Sequence, residues 1–125
     1  MLDPLAGYLV LAQKLWEDPA LASSYNFGPG AQGSASVREA VKLAQAKWGD
    51  SDAHVKFGTE MKGPKESEIL RLNNARARVA LSFDPLWPLV TAIARTVDWY
   101  KSARDGKPAS LLCANDIDAY ERGVL

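Results

Sequence analysis

Three apolar stripes at helical spacing, each cut off by a proline or a glycine, constrain the fold of this chain most. Leu5, Tyr8, Leu9, Ala12, Leu15 and Trp16 share one face between Asp3-Pro4 and Asp18-Pro19, which predicts a helix over residues 4–17 with Asp3 as N-cap. Ser36 and Glu39 have capping-box spacing, Val37, Ala40, Val41, Ala44 and Trp48 form the second stripe, and Gly49 ends a helix expected over 37–48. Leu89, Ile93, Val97 and Tyr100 form the third, which stops before Gly106-Lys107-Pro108. Asn73 or Asn74 caps a shorter helix running to about Leu81, and Asn115 is expected to cap a last one over 116–121.

Between the helices, residues 25–27 are apolar between turn signals. Residues 53–57 alternate, with Val55 and Phe57 on one side and His54 and Lys56 on the other, and 69–72 suits a short extended piece. The expectation is an α+β fold: one small, mostly helical domain over 1–125 with a few short strands. With 47% hydrophobic residues in 125, one real core can be buried, but not two.

Fifteen basic and fifteen acidic residues cancel and are interspersed, so no nucleic-acid partner is expected. A lone Cys113 and a lone His54 leave no internal disulfide and too few soft ligands for zinc, which suits a reducing cytoplasm. Neither a signal peptide nor an apolar run of the ~20 residues that cross a bilayer is present, so no membrane role is expected.

The run Leu70–Trp87, LRLNNARARVALSFDPLW, with Thr96, Trp99 and Tyr100 beyond it, resembles the LKLDxSKAxxxLGWxPxW…TxxWY signature near the C-terminus of extended short-chain dehydrogenase/reductases. It is most similar to that of the CDP-glucose 4,6-dehydratases. Residues 1–29 likewise resemble the HVLDPLxGYLxLAxxL…YNFGP stretch of that family. The resemblance implies a C-terminal substrate domain for nucleotide sugars, with residues 1–18 as the helix that joins it to a dinucleotide-binding domain. In the family that other domain binds NAD and carries a Tyr-x-x-x-Lys pair. Tyr8, Tyr25, Tyr100 and Tyr120 are followed four residues later by Ala12, Pro29, Arg104 and Val124, so the pair is absent here. The expectation is a module that binds no cofactor alone and is not an enzyme on its own.

Gly28-Pro29-Gly30-Ala31-Gln32-Gly33 matches G-x-G-x-x-G literally. The capping box, however, starts the following helix three residues after Gly33. Glu60 lies about 30 residues beyond Gly30, where the fingerprint needs an acid after ~20. The loop reads as a surface turn, and the resemblance places it on the NFGP turn of the substrate domain.

Pro64-Lys65-Glu66-Ser67 resembles the family segment P-H-E-A, which approaches the nucleotide, with Lys65 in place of histidine. A lysine there can neutralise a phosphate and Glu66 can accept from a ribose hydroxyl. Arg71, at the lysine of LKLD, completes the expected substrate contacts, whereas Arg76 and Arg78, two apart on a helix, cannot join it in one clamp. His54 is expected to be an ordinary exposed imidazole, Cys113 to pack as a small hydrophobe, and the four tryptophans to fill the core. Ser82 stands where the family has a glycine after its helix. In the absence of a covering domain, Leu9, Leu11 and Leu15 are expected to leave an apolar patch that makes the chain a homodimer.

Overall fold

The computed structural model describes residues 2–30, 33, 35–49, 55 and 72–123. Five α-helices account for most of them: α1 (Leu2–Glu17), α2 (Val37–Trp48), α3 (Ala75–Leu81), α4 (Leu89–Arg104) and α5 (Ala109–Glu121), with a 3₁₀ turn at Pro19–Leu21. No strand occurs among the described residues, so the fold is helical and the α+β expectation is corrected. Residues 25–27 are joined to the rest by side chains rather than by a backbone ladder. Tyr25 Oη donates to the Leu21 carbonyl at 2.8 Å, Asn26 donates to the Asn73 carbonyl at 3.2 Å, and the Phe27 ring packs edge-on between Tyr8 and Phe83. Of the other two expected strands, only Val55 and Leu72 belong to the described residues, and neither is in a strand.

Local capping chemistry fixes the α2 boundaries where the sequence predicts them. Ser36 Oγ accepts from the Glu39 amide at 3.2 Å, and the Glu39 carboxylate takes the Ser36 N–H at 2.7 Å and its hydroxyl at 2.8 Å. These bonds, the backbone one foremost, hold the Glu39 carboxyl below its ordinary value of 4.5. A carboxylate with a lowered folded-state pKa contributes stability that is whole above its unfolded value and fades as pH falls through the folded one. Glu39→Gln should therefore be less stable than wild type at neutral pH, and the gap should narrow as denaturant titrations are repeated below about pH 4.

Two helix boundaries differ from expectation. α1 begins at Leu2, so Asp3 lies inside its first turn and its side chain is engaged elsewhere. α5 begins at Ala109 behind Pro108, and Asn115 sits mid-helix instead of capping it. The proline loses nothing ahead of the first turn, where an N–H has no helical partner, and Leu112 and Ala119, two turns apart, bury one face. Cys113 on that helix is exposed, not packed.

α3 ends on Ser82 at φ 53°, ψ 37°, the left-handed conformation that the family glycine would supply. The Phe83 amide closes the end by donating to the Ala77 carbonyl at 3.4 Å. Ser82→Gly should raise stability by about 1 kcal/mol in denaturant unfolding, because a Cβ is disfavoured at that φ.

The core lies where α1, α3, α4 and α5 meet, with Ala77, Leu81, Trp87, Val97, Leu112 and Ala119 buried. α2 packs chiefly against α4. Lys47 pairs with Asp98 at 2.9 Å, Lys101 Nζ donates to the Trp48 carbonyl at 3.2 Å, and the Arg104 guanidinium lies 5.3 Å from the Trp48 ring centre. On α1, Gly7 is the buried residue, pressed against Phe27. The face of Leu5, Tyr8, Leu9 and Trp16 points outward, with Trp16 91% exposed, so that tryptophan does not join the core.

Candidate ligand cleft

Pro85-Leu86-Trp87-Pro88 breaks the chain between α3 and α4, since a proline cannot continue a helix and restricts the residue before it. That turn forms one wall of an open cleft of about 930 Å³. The opposite wall is the face of α2 carrying Glu39, Lys42, Leu43 and Ala46, and Pro29, Gly30 and Gly33 close one end. The Gly33 amide donates to the Gly30 carbonyl at 2.8 Å within the G-x-G-x-x-G run. No strand among the described residues precedes it, and the parallel βαβ unit that a dinucleotide site requires is not formed by them.

The described lining is predominantly apolar, with Lys42 and Glu39 its charged residues. Glu39 is committed to capping α2, and Lys42, which shares its electrostatic field, is the cation among the described lining residues. Trp87, Leu86 and the flanking prolines present flat apolar surface. The volume is that of a small-molecule site, and the lining suits a ligand with a planar or apolar part and a negative charge. Among the described residues, no nucleophile with a neighbouring base lines it.

The Trp87 wall is held from behind. Asp3 Oδ1 accepts from the Leu86 amide at 2.5 Å, from the Trp87 amide at 3.4 Å and from Tyr120 Oη at 2.7 Å. The Tyr120 ring meets Trp87 edge to face at 5.1 Å, the Arg95 guanidinium lies 4.6 Å from the Trp87 ring centre, and Arg95 pairs with Asp116 at 3.2 Å. Burial first, then the hydrogen bond and charge of Asp3, push the Tyr120 phenol well above its usual range. Sequence reasoning missed this assembly. Asp3 was assigned to capping, and 83 and 117 residues separate it from Leu86 and Tyr120, so no spacing signal joins them.

The sequence-predicted contacts Lys65, Glu66 and Arg71 lie outside the described residues, as does His54. Arg76, set apart from the expected clamp, donates to Ser23 Oγ at 2.6 Å and to the Ser24 carbonyl at 3.3 Å, a structural tie between α3 and the segment after α1. No described helix is long and apolar enough to cross a membrane.

A helical domain with a ligand-sized cleft is the class these features define. The sequence is 30% identical over 121 residues to CDP-glucose 4,6-dehydratase of Salmonella typhimurium, a match covering 96% of this chain and 33% of that protein. The chain thus spans about a third of the length of this curated relative, and the match supports a distant relationship to its family. No family model matches the sequence.

Proposed function

We propose that the chain is a nucleotide-sugar-binding fragment of the CDP-glucose 4,6-dehydratase type, inactive as a dehydratase alone, and that the cleft beside Trp87 takes the ligand. The observation that carries this reading is the match along nearly the whole chain to a third of an enzyme named for CDP-glucose. The cleft supplies apolar surface for a base and Lys42 for a phosphate. Lys65, Glu66 and Arg71 are proposed as further contacts. NAD is left to a domain outside this sequence, and the lone Cys113 suits a cytoplasmic setting.

Thermal unfolding in the presence of CDP, CDP-glucose, NAD and NADP tests the reading, since a ligand bound to the folded state alone stabilises it by about 2.7 kcal/mol at a hundred times its dissociation constant. The cytidine compounds should raise the melting temperature and the dinucleotides should not. A rise with NAD alone, or turnover of CDP-glucose by the purified chain with NAD, would sink it.

A second reading is favoured by the outward face of α1: Leu5 is 47%, Leu9 73% and Trp16 91% exposed, a continuous apolar stripe on one helix. In this reading the chain is a homodimer paired through α1, with the ligand site no longer in use. Light scattering across a hundred-fold dilution checks it, and a monomer mass at every concentration rejects it.

A further inference from the structure

Asp3 is spent on neither capping α1 nor pairing with a described cation. A single one of its carboxylate oxygens, Oδ1, gathers two backbone amides of the cleft wall and a phenol from α5. A charged acceptor suits such a cluster, because hydrogen bonds to an ionised group are stronger than neutral ones. Of the donors around it, Trp87 is 8% exposed and Tyr120 half-buried, while Leu86 lies at the surface. Tyr120 contributes twice, its hydroxyl to Asp3 and its ring edge to Trp87. From the other side, Arg95 sits over the same indole and is held by Asp116. The indole is therefore fixed between an aromatic edge and a cation, and the backbone beneath it is fixed by a carboxylate from the first turn of α1.

We propose that Asp3 and Tyr120 are a positioning pair for the cleft, setting the Leu86–Trp87 wall against which a ligand lies. Neither residue lines the cleft. The proposal rests on the cleft being the ligand site. It makes ligand affinity depend on contacts between the first and last helices, and so on α1 remaining docked.

Three variants of the full chain separate positioning from general support: Asp3→Ala removes the acceptor, Asp3→Asn keeps an oxygen that can take the same donors, and Tyr120→Phe keeps the ring but not the hydroxyl. The readouts are amide exchange at Leu86 and Trp87, the Trp87 indole N–H resonance, and affinity for CDP-glucose measured well below every melting temperature. In Asp3→Ala the two amides should exchange about ten-fold faster or more while α2 amides keep their rates, and affinity should fall about ten-fold, as loss of a charged hydrogen bond implies. Tyr120→Phe should move the indole resonance and lower affinity less. Asp3→Asn should restore most of both. Unchanged Leu86 and Trp87 exchange with an unmoved indole resonance overturns the proposal, as does altered exchange with wild-type affinity. If the wild-type chain binds no CDP-glucose while the exchange and resonance changes appear, the ligand reading falls and the Asp3–Tyr120 hold on the wall still stands.

Discussion

Trp87→Ala should lower the stability of the domain by about 3–5 kcal/mol, the usual cost of emptying a buried aromatic site. Trp87 is 8% exposed and serves two structures at once, closing the core between α4 and α5 and forming the cleft wall. Its ring meets Tyr120 at 5.1 Å and Arg95 at 4.6 Å, so truncation leaves a phenol and a guanidinium facing an empty volume. Domains of this size carry total stabilities of about 5–15 kcal/mol, so the variant should approach the threshold of folding. Denaturant unfolding measures the loss directly. Trp87→Phe keeps an aromatic body in the site and should lose less than half as much. Equal losses for the two variants would mean that the indole packs less tightly than its burial implies.

Gly7→Val should cost about 3 kcal/mol, at the upper end of overpacking penalties, although glycine is the poorer helix former. A Cβ at residue 7 would stand 2.4 Å from Phe27 Cδ1 and 2.7 Å from its Cε1, inside any tolerable contact. The ring has little room to retreat, because Tyr8 and Phe83 meet it edge to face at 5.4 Å each. Gly7→Ala should also destabilise, by about 1–2 kcal/mol once the helical preference for alanine has offset part of the clash. Thermal unfolding of both variants beside wild type gives the order. A stabilised Gly7→Ala would show that the segment carrying Phe27 shifts freely, and that α1 is less firmly docked than its contacts indicate.

Signals that act within one turn of backbone were legible. The Ser36–Glu39 capping box placed α2, the prolines and glycines placed the ends of α1 and α4, and the αL strain at Ser82 followed from a missing glycine. The strand expected at residues 25–27 failed for a physical reason: a short apolar run is ambiguous until a partner strand exists, and here its side chains find the rings and carbonyls of neighbouring segments instead. The α1 stripe was read as apolar and left uncovered, which suits Leu9 at 73% exposure, whereas Trp16, expected to fill the core, stands outside it. Periodicity finds a face but does not say what covers it, and the close approach at Gly7 turned the opposite side of α1 inward.

The candidate site divides in the same way. The sequence reading set the G-x-G-x-x-G run apart from a dinucleotide site on the late helix start, a local feature set by Ser36, and α2 does begin behind that cap. Lys42 was visible only as a helical lysine and Trp87 as a core tryptophan closing the Leu70–Trp87 run, and nothing in the sequence said that they face one cleft.

By itself, then, the sequence determined both ends of α2 and the stops of α1 and α4, though not the starts of α1 and α5, because capping, proline geometry and glycine conformation are settled by neighbours a few residues away. Tertiary structure alone decided which faces are buried, that Asp3 binds the Leu86–Trp87 turn and Tyr120, and that a cleft opens beside Trp87. Those features join residues more than eighty positions apart, and only the packing of whole helices brings such groups within hydrogen-bonding reach.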